Sequence, residues 1–94
     1  MGDLLIRGGE VITSRKTGLA SVYVRDGKIS QVGKFSKAAK EVVDASGLLV
    51  LPGAIDAHVH FALPVAGTRS ADDFLSGSLA AAAGGVTCFI DFTL

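Results

Sequence analysis

The sequence has little of what marks a secreted, membrane-spanning or nucleic-acid-binding protein. It contains a single cysteine, which indicates an intracellular protein. Nine basic and nine acidic residues leave no net charge, and no Lys/Arg cluster favours nucleic acid or an anionic membrane surface. No apolar run approaches the roughly 20 residues that cross a bilayer, and no secretory signal pattern is visible. We therefore expect a cytoplasmic protein without nucleic-acid or membrane partners.

The first half of the chain has the pattern of a small antiparallel β module. Short alternating or apolar stretches are separated by glycine-containing and polar breaks, which is typical of strands joined by turns. Asp26-Gly27 stands between two such stretches, and both residues tolerate the positive φ of a type I′ turn, so we predict a β-hairpin there. Residues 34–40 are predicted to form a surface loop or a single helical turn. The predicted strands lie within residues 3–12, 19–33, 41–44 and 48–51.

The second half has the pattern of a strand, a helix and a second strand. Ser70 is the predicted N-cap of the helix, Asp73 the predicted acid of its capping box, and Gly84-Gly85 its predicted end. Residues 86–92 are β-branched, aromatic and almost continuously apolar. This composition predicts a strand buried on both faces of a parallel sheet, with Cys88 as a small apolar side chain in its middle.

Two histidines one residue apart, His58 and His60, are the most informative feature of the chain. Side chains alternate faces along a strand, so Asp56, His58 and His60 are expected to share one face at the carboxyl end of the first strand of this βαβ unit. An isolated pair of this kind is more often two surface or hydrogen-bonded histidines than a metal site. The context favours metal ligation, because imidazole is the commonest metal ligand and parallel α/β folds collect ligands at this end of their strands.

A β module followed by one βαβ unit has no closed core. Two parallel strands leave apolar faces and open edges in water. The chain is nevertheless 49% hydrophobic, which is high for a small independent domain. We therefore expect these 94 residues to be the amino-terminal piece of a longer protein.

Four sequence motifs follow one another in an order that resembles the amidohydrolase superfamily. They are Asp-Leu-Leu-Ile-Arg-Gly-Gly at residues 3–9, Val-Arg-Asp-Gly-Lys-Ile at 24–29, Val-Asp-Ala-Ser-Gly at 43–47 and Leu-Pro-Gly-Ala-Ile-Asp-Ala-His-Val-His at 51–60. Further motifs are similar to those of the cyclic-amide branch of that superfamily, the dihydropyrimidinases and hydantoinases. These lie within residues 64–74, 84–87 and 90–92.

The resemblance implies a fold and an activity. Residues 1–52 would form the amino-terminal part of a small β-sandwich domain, and residues 53–94 the start of a (β/α)8 TIM-type barrel, cut after its second strand. His58 and His60 would ligate one of two divalent metals, commonly zinc, in each subunit. A hydroxide shared by the metals would open dihydropyrimidine or hydantoin rings to N-carbamoyl amino acids. The parent protein would be a homo-oligomer, a tetramer by resemblance.

The same resemblance implies that this chain alone is inactive. The remaining ligands in the family are a carboxylated lysine, two further histidines and an aspartate that also transfers the proton, and all lie on later strands. No catalytic residue is therefore expected within these 94 residues. Asp56 is expected to have a structural role or to orient the ligating histidines rather than to ligate. Leu63 and Val65 are candidates for the wall of the substrate pocket, with ordinary apolar packing as the alternative.

Two alternative functions stay open at this point. Allantoinases and dihydroorotases share the metal site and differ chiefly in substrate-binding residues that lie beyond this chain. Non-catalytic scaffold proteins that resemble dihydropyrimidinase lack the metal ligands and serve as cytoskeletal partners. The presence of both His58 and His60 argues against the scaffold.

Overall fold

The computed structural model describes residues 2–92. Within this range nine strands and one helix form, and they belong to two compact units that divide between Pro52 and Gly53. In chain order they are β1 (Leu4–Ile12), β2 (Thr17–Arg25), β3 (Lys28–Gly33), β4 (Glu41–Asp44), β5 (Leu49–Val50), β6 (Ala54–Val59), β7 (Pro64–Val65), β8 (Thr68–Arg69), α1 (Phe74–Ala83) and β9 (Val86–Asp91).

The first unit is a five-stranded mixed sheet, so the prediction of a purely antiparallel module was wrong. β2 pairs antiparallel with β1 and with β3, but β4 and β5 pair parallel with the other edge of β1. Residues 34–40 make the parallel arrangement possible, because they carry the chain across the sheet from β3 to the far side of β1. They form a loop without a helical turn.

Two local features of this sheet follow from its glycines. The predicted β-hairpin is confirmed: Asp26 and Gly27 connect β2 to β3 with φ angles of 51° and 74°, as a type I′ turn requires. Gly8, at φ 76°, lies where the β1–β2 register shifts between Ile6 and Gly9. A glycine adopts this conformation without steric cost, and the resulting bulge divides β1 into two paired segments.

The core of the first unit is small and is closed at one end by a polar cluster around Tyr23. The phenol hydroxyl of Tyr23 donates to the carboxylate of Asp3, which also accepts the backbone N–H of Lys40 at 2.6 Å. These bonds stabilise the charged carboxylate and lower the pKa of Asp3, while the bond to Asp3 raises the pKa of Tyr23. The Lys37 ammonium lies 4.2 Å from the centre of the Tyr23 ring. The buried apolar side chains are Leu5, Val11, Val22, Tyr23 and Ala45.

The second unit confirms the predicted order of strand, helix and strand. β6 and β9 pair in parallel, and α1 connects them. The helix ends at Gly84 as predicted. Within the described residues no helix is long and apolar enough to cross a membrane.

The predicted N-cap of the helix was wrong by three residues. Asp73 is the N-cap: its carboxylate accepts the backbone N–H of Ser76 at 2.9 Å, and the Ser76 hydroxyl accepts the backbone N–H of Asp73 at 3.2 Å. The bonds from Ser76 lower the pKa of Asp73. Ser70 is used elsewhere, because its hydroxyl accepts the backbone N–H of Leu63 at 2.9 Å. Both residue types are good N-caps, and competition for local partners decides between them.

The segment between β6 and α1 contains a small hairpin that we did not predict from the sequence. β7 and β8 pair antiparallel around Ala66 and Gly67, whose φ angles are 50° and 77°. Such turns usually have Asn or Asp before the glycine, and alanine is uncommon at positive φ, so only Gly67 indicates this turn in the sequence.

The second unit buries much less apolar surface than its composition predicts. β9 was expected to be buried on both faces, but Cys88 is exposed and Ile90 is 54% exposed. Ile55 of β6 is 70% exposed, and Gly77 is the one buried residue among those described in this unit. The reason is geometric, since two strands and one short helix cover only part of each other's faces.

Candidate metal centre

The two histidines lie together at the carboxyl end of β6. His58 is within the strand, and His60 follows its last residue. Their side chains are exposed, and their Nε2 atoms are 3.1 Å apart, with the ring planes at 72°. The sequence pattern therefore correctly brings both imidazoles to one face of the strand.

The separation of the two nitrogens is compatible with one shared metal ion. Zinc–imidazole bonds are about 2.0–2.1 Å long, so two of them at angles between a right angle and the tetrahedral value separate the nitrogens by roughly 2.9–3.4 Å. The observed 3.1 Å lies inside this range. Among the described residues no third His, Cys, Asp or Glu joins the pair, so this part of the chain could offer a metal ion two of the four ligands of a tetrahedral shell.

The hydrogen-bond partners of His60 decide which of its nitrogens is free. Its Nδ1 lies 3.1 Å from the backbone carbonyl oxygen of Phe92. A carbonyl can only accept, so Nδ1 carries the hydrogen, and in the neutral ring Nε2 is left with a lone pair. His58 Nε2–H then donates to that lone pair across the 3.1 Å gap. A metal ion would replace this hydrogen, and His58 would carry its proton on Nδ1 instead.

Asp56 lies beside the pair but contacts its backbone. One carboxylate oxygen accepts the backbone N–H of His58 at 3.1 Å. This bond holds the strand just before the pair and leaves the imidazole rings to other partners. The expectation that Asp56 orients the histidines rather than ligating a metal stays a prediction. The contact through which it would do so is the hydrogen bond from the backbone N–H of His58.

The residues after the pair pack on the helix. The Phe61 ring makes edge-to-face contacts with Phe74 and Phe89, at centroid distances of 5.6 and 4.9 Å. Leu63 is half-buried and Val65 is 51% exposed. Their assignment to a pocket wall stays a prediction.

Sequence reasoning missed the contribution of Phe92 to this site. Its ring stacks on that of His58, with centroids 4.4 Å apart and planes at 16°. One signal was available: the carboxyl ends of neighbouring parallel strands meet at one edge, so the residue just after the second strand lies near the histidines at the end of the first.

Comparison with known proteins identifies the relatives of this chain as hydrolases of cyclic amides. More particularly, they include hydantoinases and dihydropyrimidinases, to which the chain is homologous over nearly its whole length, and this confirms the resemblance of its motifs. It is 44% identical over 91 residues to the D-hydantoinase of Geobacillus stearothermophilus, covering 96% of this chain and 19% of that protein. It is 46% identical over 93 residues to the dihydropyrimidinase of Arabidopsis thaliana, covering 97% and 18%.

Solved structures agree with the sequence comparison. A crystal structure of D-hydantoinase matches with a TM-score of 0.89 at 42% identity, over 96% of this chain and 20% of that one. The dihydropyrimidinase from Brevibacillus agri NCHU1002 gives 0.88 at 41%, over 96% and 20%. No model of a protein family matches the chain. The chain thus spans about one fifth of the length of the relatives it matches.

Proposed function

We propose that this chain is part of a metal-dependent hydrolase that opens dihydropyrimidine or hydantoin rings to N-carbamoyl amino acids. Its own contribution is a pair of metal ligands, Nε2 of His58 and Nε2 of His60. The observation that carries the proposal is the 3.1 Å separation of these two atoms at the carboxyl end of a parallel strand. The names of the relatives supply the reaction class.

His58 and His60 would hold one of two zinc ions per subunit, and such ions, when bound, would lower the pKa of water from about 15.7 toward 7 and polarise the carbonyl group of the ring. The chain's own residues hold the ligands in place. The carboxylate of Asp56 fixes the peptide of His58, and the carbonyl of Phe92 fixes the ring of His60. The remaining ligands and the proton-transfer group would come from the rest of the protein.

We further propose that the second unit begins a (β/α)8 barrel and that the first unit is part of a β-sandwich. The parallel pairing of β6 and β9 across α1 supports the barrel. The exposure of Ile55, Leu75 and Leu79, each at least 63%, also supports it, because further strands and helices of a barrel would cover such faces. We propose, in addition, that the parent enzyme is cytoplasmic and forms a homotetramer.

Allantoin hydrolysis is the second candidate function. The allantoinase of Escherichia coli O1:K1 / APEC is 41% identical over 92 residues, covering 98% of this chain and 20% of that protein. Allantoin is also a cyclic ureide, and the histidine pair would serve either ring. The non-catalytic scaffold is disfavoured by the presence of both histidines.

A ring-opening assay on the full-length protein tests these proposals. The protein, supplied with zinc, manganese or cobalt, should open dihydrouracil or hydantoin, and His58→Ala should abolish the turnover and lower the metal content. Turnover of allantoin alone would select the second candidate. A His58→Ala protein with full activity and full metal content would contradict the metal site itself.

A further inference from the structure

Phe92, the residue that follows the last residue of β9, contacts both histidines. The Phe92 ring lies parallel to the His58 imidazole at 4.4 Å, and its carbonyl oxygen accepts from Nδ1 of His60 at 3.1 Å. The backbone N–H of Phe92 donates to the carbonyl of Val59, the residue between the histidines, at 2.9 Å. One residue thus contacts all three positions from 58 to 60, through a stacked ring at 58 and hydrogen bonds at 59 and 60.

The carbonyl contact determines the chemistry of His60. With hydrogen on Nδ1, neutral His60 must present Nε2 as a lone pair, which is the form that binds a metal. The backbone N–H bond to Val59 fixes the position of this carbonyl relative to the ring.

The ring contact restricts the orientation of His58. Planes only 16° apart at 4.4 Å leave little room for the imidazole to rotate on that side without clashing. The hydrogen bond found for the exposed His58 ring among the described residues joins its Nε2 to Nε2 of His60, and a bound metal ion would replace it. The stacking contact with Phe92 would then still orient the ring. An oriented ring loses less rotational entropy when Nε2 binds an ion.

We infer that Phe92 is a positioning residue of the metal centre, which sets the plane of His58 through its ring and the tautomer of His60 through its carbonyl. This inference rests on the proposed function, because it concerns how the two ligands are held. Partners of metal ligands typically change metal affinity by about 10–100-fold when they are removed. The ring stacks on His58 and lies edge-on to His60 with centroids 6.0 Å apart, whereas the carbonyl contact does not depend on the ring. Loss of the ring alone is therefore expected to have an effect at the lower end of this range, about tenfold.

The test is the affinity of the full-length protein for zinc, measured by competition with a chelator, together with the visible absorption of bound cobalt. Phe92→Ala removes the ring and retains the carbonyl, so zinc affinity should fall about tenfold and the cobalt bands should shift. Phe92→Leu keeps the apolar volume without the flat face and should show the same changes in smaller degree. Phe92→Tyr keeps the flat face and should restore wild-type values.

Phe74→Ala is the matched control. Phe74 is also a partly exposed phenylalanine in an aromatic contact, but its partner is Phe61 rather than a histidine. Its substitution should leave zinc affinity and the cobalt spectrum unchanged. If Phe92→Ala does not fold, the comparison of Phe92→Leu with Phe92→Tyr carries the test.

The outcomes separate this inference from the proposal beneath it. Equal zinc binding by the wild type and by His58→Ala with His60→Ala would overturn the proposed function, and the positioning role with it. Zinc binding that depends on both histidines but not on the residue at position 92 would overturn the positioning role alone. An altered melting temperature with an unchanged cobalt spectrum would assign Phe92 a purely structural role and would also overturn it.

Discussion

Substitution of Gly77 by alanine should destabilise the protein, although alanine has the higher helix propensity and would ordinarily stabilise a helix. Gly77 lies inside α1 with its α-carbon against the Phe61 ring. A β-carbon built there would lie 2.5 Å from Cδ1 and 2.9 Å from Cζ of that ring, and closer still to Cε1. Carbon atoms pack at about 3.5–4.0 Å, so the ring or the helix must move by roughly 1 Å.

The magnitude follows from two opposing effects. Alanine is favoured over glycine in a helix interior by about 1 kcal/mol. Overpacking typically costs about 1–3 kcal/mol, and the Phe61 ring is held on its other sides by Phe74 and Phe89, so it cannot simply step aside. Subtracting the helix gain from the overpacking cost leaves an expected net loss of up to about 2 kcal/mol in the free energy of unfolding.

A double-mutant cycle in the full-length protein isolates the contact. In a Phe61→Ala background the clash is absent, so Gly77→Ala should become stabilising by about 1 kcal/mol, a reversal of sign. Gly18→Ala is the control, because no atom lies within 4 Å of a β-carbon there. Urea titration measures all variants. Stabilisation by Gly77→Ala in the presence of Phe61 would refute the close packing of helix and ring.

Three further predictions concern the isolated chain. It should bind zinc only weakly and should not hydrolyse dihydrouracil or hydantoin, because His58 and His60 fill half of a tetrahedral shell; nanomolar zinc affinity that survives removal of both histidines, or metal-dependent turnover, would contradict this. It should aggregate or bind a hydrophobic dye through the exposed apolar side chains of α1 and β6, whereas a monodisperse monomer with a cooperative melt and no dye binding would show a self-sufficient domain. The Asp3–Tyr23 bond should stabilise the fold fully between pH 3.8 and pH 10.0, and its contribution should be lost as the pH falls through the lowered pKa of Asp3 or rises through the raised pKa of Tyr23. Tyr23→Phe should therefore make the stability less dependent on pH at both ends of this range. An unchanged stability profile would contradict the bond.

The elements that local sequence signals encode were predicted correctly. The Asp26-Gly27 hairpin, the strand–helix–strand order and the end of the helix at Gly84 each depend on a few neighbouring residues. The approach of His58 to His60 follows from the period of a strand, which is also local.

Features that were missed depend on partners outside the element concerned, except for the β7–β8 hairpin, whose turn has the weak signal of an alanine at positive φ. The parallel pairing of β4 with β1 leaves no trace in the periodicity of either strand. The choice of Asp73 over Ser70 as N-cap was decided by the backbone N–H of Leu63, which occupies the serine hydroxyl. The exposure of β9 agrees with the expectation that two parallel strands leave apolar faces in water. The burial that its composition predicts requires neighbouring strands and helices that two strands and one helix do not provide.

The position of β1 between β2 and β4 has a consequence for the order in which the first unit assembles. β1, β2 and β3 pair across short turns and can do so as soon as they are synthesised, whereas the other edge of β1 at residues 4–7 must wait for residues 41–44. Closing that longer loop costs roughly 2 kcal/mol more entropy than closing a turn of a few residues. During translation one edge of β1 therefore stays unpaired until some forty further residues have left the ribosome. The open edge is the point at which the nascent chain is exposed to non-native strand pairing.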